Sequence, residues 1–250
     1  MKIKAFCFSF ADCFMYSSFS KCVISSDNAT SIVFEKDYRS EQLDYTTLAN
    51  MALQGDLVNN QHTQVEIYYE NEGNTPVVKM KKLLNKKVLS DGQVIETCSI
   101  AICGYDQFKK SEQEGSYTVA LTIGCDYVTK LVENGRVTAY KATRFFATPT
   151  LIDSGRFRLT SLSGTIKERG PGYDAEGNPI KAKEDSALDT TSNPISGREY
   201  DENTGFDEYV WLQTGIVNGG YIEMLGTLKY QRVDTGTTYT FNLPYKVTSP

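Results

Sequence analysis

Proton-transfer chemistry at neutral pH leans on imidazole, and this 250-residue chain has one histidine, His62. It stands in the polar run Asn59-Asn60-Gln61-His62-Thr63-Gln64, which predicts a solvated loop. Two carboxylate pairs could in principle attack a glycosidic bond, Glu66 with Glu70 and Asp207 with Glu208. Their spacing fits the wet faces of strands better. Gly-x-Ser-x-Gly, the Walker motif and Gly-x-Gly-x-x-Gly are missing in usable context. No catalytic residue is therefore assigned, and the chain is expected not to be an enzyme.

Metal and cofactor chemistry fare no better. Asp174, Glu176 and Asn178 alternate around Gly177, and Asp201, Glu202, Asn203 and Asp207 cluster nearby, an oxygen-rich set of the kind calcium takes. Neither run has the spacing of a calcium loop, so a solvated acidic segment is expected and no metal residue is named. The six cysteines (Cys7, Cys13, Cys22, Cys98, Cys103, Cys125) form no Cys-x-x-Cys pair, and one histidine cannot complete a zinc set. Cys98 and Cys125 fall in apolar strand patterns, where a free thiol acts as a small hydrophobe. Reduced, unpaired cysteines are expected, with no cofactor and no small-molecule substrate.

Charge separates the chain into a near-neutral body and one acidic segment. Between Pro171 and Glu208 ten acids stand against three bases, within a net charge of −5. The one basic cluster, Lys79, Lys81, Lys82, Lys86 and Lys87, lacks interleaved aromatics and reads as a solvated face, so no nucleic-acid partner is expected. No apolar stretch approaches 18 residues, which leaves no membrane-spanning segment. The start, through Ala5-Phe6-Cys7-Phe8-Ser9-Phe10-Ala11, only faintly imitates a leader because Asp12 breaks it, and the Asn28-Ala29-Thr30 sequon is expected to go unused.

The elements that would hold any site are mostly strands. Residues 2–10, 13–24 and 31–36 fit strands, and one helix is predicted over 41–53. There Tyr45, Leu48, Ala49, Ala52 and Leu53 make an apolar stripe, with Ser40 as N-cap and Gly55 beyond the end. Alternation predicts a strand around Val65, Ile67 and Tyr69. Residues 76–89 are ambiguous, since Val77, Met80, Leu84 and Val88 also suit a short helix. Asp91-Gly92 leads into a strand at 93–103. A long hairpin follows, from Tyr117 to about residue 147, turning at Asn134-Gly135, and a strand runs from Phe157 to Ile166. The C-terminal 45 residues read as a three-strand meander ending in Tyr239, Phe241, Leu243, Tyr245 and Val247, with Pro244 placing the last strand at an edge. Between the halves, 167–206 is rich in Gly, Pro and acids and poor in apolar residues. It is expected to be an extended loop or arm that orders only against a neighbour.

The fold expected is mainly β: an antiparallel β-sandwich or flattened barrel, one β-rich domain over 1–250, with one short α-helix and a long acidic loop. Tyrosines on the strands (Tyr68, Tyr140, Tyr209, Tyr221, Tyr230) would form an interface or a sugar-stacking platform. The function class this suggests is a non-enzymatic structural subunit that self-assembles. Such subunits build phage tails, virion shells and other tubular assemblies; this one would have copies of itself as partners and reside in a virion or an intracellular assembly. The alternative is a cell-surface adhesin or carbohydrate-binding β module, using Trp211 and exposed tyrosines.

Overall fold

The computed structural model describes residues 31–70, 75–106, 117–132, 137–212 and 219–248. The strands expected at 2–10 and 13–24, Cys7, Cys13, Cys22, the sequon, the Asn134-Gly135 turn and residues 213–218 lie outside this set. The described chain is mainly β. A first strand β1 (Ile32–Asp37) precedes one helix, α1 (Tyr45–Leu53). A run of long antiparallel strands follows: β2 (Thr63–Glu70), β3 (Thr75–Leu89), β4 (Val94–Asp106), β5 (Val119–Val132), β6 (Val137–Leu151) and β7 (Phe157–Tyr173). Then come β8 (Pro179–Ser192), the short β9 (Tyr200–Asn203) and β10 (Tyr209–Val210), and finally β11 (Tyr221–Arg232) and β12 (Thr238–Val247). No helix among the described residues is long and apolar enough to cross a membrane.

All twelve strands join one sheet whose main path is β1-β3-β4-β5-β6-β10-β7-β11-β12. β1 and β2 share one edge of β3, β2 along Thr75–Lys82 and β1 along Asn85–Leu89. The path folds back so that its two halves meet face to face. A Cβ on Gly226 of β11 would come within 2.4 Å of Ile123 Cγ2 on β5, so only glycine lets the layers approach this closely. Ile100, Ile102, Leu121, Ile123, Phe145, Leu162, Met224 and Leu228 fill the space between the layers. This contact is consistent with the expected sandwich or flattened barrel.

The helix covers the opposite face of the first half. Leu48, Ala49 and Ala52 pack on Val65, Val78, Met80, Ala101, Cys103 and Phe146, the burial that the apolar stripe predicts. Its start differs from expectation. Arg39–Glu41 form a separate 3-10 turn, Gln42 is extended, and Asp44, not Ser40, is the N-cap, its carboxylate accepting from Thr47 N at 2.8 Å.

The expected arm at 167–206 is overturned. β7 continues through Gly170-Pro171-Gly172 to Tyr173, and β8 returns beside it from Pro179 to Ser192. The turn between them is built by Asp174, whose two carboxylate oxygens take Asn178 N (2.7 Å) and Asn178 Nδ2 (2.8 Å), while Gly177 supplies φ +91°. β8 is ordered by its backbone ladder to a strand already fixed in the core, which offsets the entropy of ordering it with few inward residues. Ala182 and Leu188 supply them. Three acids of this segment are held within the chain: Asp185 pairs with Arg169, and Glu199 and Asp201 pair with Arg144.

Candidate functional site

A cleft of about 380 Å³ opens where the N-terminus of α1 meets β3, β5 and β6. Lys82 forms its floor. The side chain shares the helix-facing side of β3 with Val78 and Met80 and is 5% exposed, so the expectation that it belongs to a solvated basic face is corrected. Its Nζ donates to Leu43 O at 2.5 Å and lies 3.6 Å above the Tyr45 ring. Burial pulls the ammonium down to about 8, against the opposing pull of Asp44, Glu199 and Asp126.

Arg144 forms the wall. It pairs with Asp126 (3.4 Å), Asp201 (2.8 Å) and Glu199. Burial acts to lower it, but the hydrogen bonds it donates to Asp201 and Glu199 outweigh that and hold the guanidinium above its usual value. With three carboxylates around it, Arg144 has little capacity left for an oxyanion. Gln42 Nε2 donates to Leu83 O at 2.5 Å, while its Oε1 is buried without a partner. The cleft fastens α1 and the segment from Gly197 into β9 to the sheet.

A second polar feature lies between the sheet halves. On β6, β9 pairs with Arg144–Ala147 and β10 with Tyr140, which leaves Ala142 and Thr143 without a strand partner on that edge. Thr204 serves Thr143 O through its N–H (3.1 Å) and Ala142 O through its hydroxyl (2.7 Å). Ala142 N donates to Glu168 Oε1 at 2.5 Å. Glu168 is fully buried and its Oε2 has no partner. Burial pushes this carboxyl up to about 9, with Glu184 and Glu208 adding to the shift and Ala142 N–H and Lys141 opposing it. Glu184 in turn accepts from Asp207 N (2.9 Å) and Glu208 N (3.0 Å).

The residues weighed for chemistry do not converge. Glu66 sits on the outside, 3.8 Å from Lys79, and Glu208 accepts from Lys183 N. His62 stands in the bend before β2, where Asn59, Asn60 and Gln61 are exposed as the sequence predicts, but its own ring is half-buried and stacked on Tyr38, centroids 4.1 Å apart. Among the described residues no three His, Cys, Asp or Glu side chains are grouped to hold a metal. Cys98, Cys103 and Cys125 are buried and unpaired, as expected for the first and last.

The tyrosines do not share one exposed platform. Tyr230 is buried and its hydroxyl donates to Asp106 Oδ2 at 2.9 Å, while Tyr68 and Tyr140 pack against the core. Tyr221 is covered by Lys246 at 3.6 Å. Only Tyr209 joins Trp211, packing with Tyr173 on Ala139 beneath Lys130 and Lys141. A groove of about 340 Å³ runs beside Tyr127 and Tyr140, bounded by Val94, Leu131, Thr129 and Glu96.

The sheet edges are the remaining surfaces. All six residues of β1 are exposed, including Ile32 (51%), Val33 (64%) and Phe34 (47%). Its outer side has no partner among the described residues. At the other end of the path lies β12, where Pro244 pairs with Leu225, the edge position its sequence predicts. Sequence reasoning located both strands but not the openness of β1. Arg144 and Glu168 were missed altogether, and Lys82 was read only as part of a solvated basic face. The one local signal was that Lys82 alternates in phase with the apolar Val78 and Met80. No protein-family model matches this sequence, and a search of curated proteins finds none similar to it.

Proposed function

We propose that this protein is a non-enzymatic structural subunit that assembles with copies of itself, of the type used in phage tails, virions and other tubular assemblies. The observation that supports the reading is β1: among the described residues it is an outermost strand whose outer side has no strand partner, and it holds three consecutive exposed large apolar side chains. Such an edge can template strand addition along its regular part, Phe34–Asp37, beyond the register shift between Ile32 and Phe34. The folded 167–206 hairpin no longer serves as the assembling element; the edge takes its place. Electron microscopy of the purified protein tests this. Regular oligomers, rings or tubes are expected, and a field of single small particles at every concentration would overturn it.

A second reading, a carbohydrate-binding module, draws on the cluster of Tyr173, Tyr209 and Trp211 beneath two lysines. Aromatic faces stack on sugars, and Trp211 would report binding through its fluorescence. A monomer whose fluorescence shifts with a glycan would favour this reading over assembly.

A further inference from the structure

We propose that Lys82 is a covalent site for small uncharged aldehydes, which its amine captures as an imine at the floor of the cleft beside α1. The site is independent of the assembly reading. Lys82 differs from the lysines around it. Lys79, Lys86 and Lys87 each have a carboxylate, Glu66 at 3.8 Å, Glu96 at 3.1 Å and Glu35 at 3.1 Å. Lys82 is 5% exposed, and among the described residues no carboxylate forms an ion pair with it. The three acids whose charge reaches it are engaged elsewhere. Asp44 accepts from Thr47 N (2.8 Å) and Thr47 Oγ1 (2.7 Å), while Asp126 and Glu199 are held by Arg144. The partners of Nζ are instead Leu43 O and the face of the Tyr45 ring. Uncharged partners stabilise an ammonium less than a carboxylate does, and burial removes its water. The amine therefore sheds its proton more readily than an exposed lysine, in keeping with its fall to about 8. A desolvated lysine lining an open cleft is suited to attack on a carbonyl.

The unprotonated nitrogen adds to the aldehyde carbon. A C–N bond forms, and the carbonyl oxygen takes a proton from the nitrogen to give a carbinolamine. Loss of that hydroxyl with the remaining N–H proton releases water and leaves a C=N bond, so no oxidant or reductant is consumed. The walls set the kind of aldehyde. A volume of about 380 Å³ accommodates a small ligand. Asp44, Asp126 and Glu199 line the cleft, and its two arginines are already committed, Arg39 to Asp37 (2.8 Å) and Arg144 to three carboxylates. A carboxylate or phosphate on the ligand would meet this acidic lining with both arginines occupied.

The test is brief treatment of the full chain with propanal and cyanoborohydride at pH 7, which reduces each imine to a stable secondary amine, followed by peptide mapping. Lys82 should be labelled at least about tenfold faster than Lys79, Lys86 and Lys87, and the preference should vanish in denaturant. Glyoxylate, an aldehyde that carries a carboxylate, should label Lys82 at least about tenfold more slowly than propanal does, each rate taken relative to the exposed lysines. Labelling of Lys82 no faster than that of its neighbours, or a preference that survives denaturation, would overturn the proposal. Glyoxylate as effective as propanal would overturn the restriction to uncharged aldehydes.

Discussion

Glu168 makes the fold weaker as the solution becomes more alkaline, and the size of the effect follows from its burial. Its carboxyl is wholly inside the protein, with one oxygen accepting from Ala142 N and the other without a partner. In the unfolded chain it titrates near 4.5; in the fold it keeps its proton until about pH 9. Between these values the native state binds more protons than the unfolded state, so stability falls as pH rises. Each pH unit in that window removes about 1.4 kcal/mol, so pH 5 to 8 costs on the order of 4 kcal/mol. Glu168→Gln keeps the shape and the acceptor for Ala142 N but cannot ionise. Urea unfolding at pH 5, 6.5 and 8 should therefore find the two proteins within about 1 kcal/mol at pH 5 and the variant more stable by several kcal/mol at pH 8. Glu184, raised mainly by burial, pushes in the same direction, but it is common to both proteins and cancels in the difference. Parallel stability curves for the two proteins would refute the argument that this carboxyl is buried and protonated.

Other expectations test the layers separately. Leu48→Ala should cost about 2–4 kcal/mol by opening a cavity between α1 and the sheet, and a melt unchanged from wild type would mean that the helix is not packed there. Gly226→Ala should cost about 1–3 kcal/mol, because the added methyl meets Ile123 and Leu121; an unaffected melt would separate the two sheet halves. Burial raises the thiol of Cys98 to about 11 and shifts that of Cys103 upward as well. Peptide mapping after alkylation at pH 8 should find Cys98, Cys103 and Cys125 unmodified in the native protein and fully modified in denaturant. Labelling of any of them in the native state would contradict their burial.

What could be read from sequence was whatever depends on one face of one element. The stripe Leu48, Ala49, Ala52 identified the helix, and the unbroken alternation from Tyr239 to Val247 identified β12, whose inward residues are buried or half-buried while Thr240, Asn242, Pro244 and Lys246 are exposed. β3 was ambiguous for a tertiary reason. It lies between α1 on one face and the second half of the sheet on the other, so Val77, Val78 and Met80 are all buried and no clean alternation survives. β8 was misread because an edge strand of a packed hairpin needs only two buried side chains, too few to register as a pattern. The N-cap was misplaced because Ser40 and Asp44 are both good caps, and only the 3-10 turn at Arg39–Glu41 decides between them. The polar features were invisible for a further reason: Arg144 meets Glu199 and Asp201, and Glu168 meets Ala142, only after strands distant in sequence are paired.

The central claim, that the β1 edge drives self-association, is tested most directly by sedimentation equilibrium of the wild type and of Val33→Lys. Val33 is 64% exposed, so the change leaves the core untouched while placing a charge on the edge. The mass of the wild type should rise with concentration above the 27.9 kDa of one chain, and the variant should stay at or near that mass. A wild type that remains at the mass of one chain at every concentration, or a variant that associates as strongly as the wild type, would contradict it.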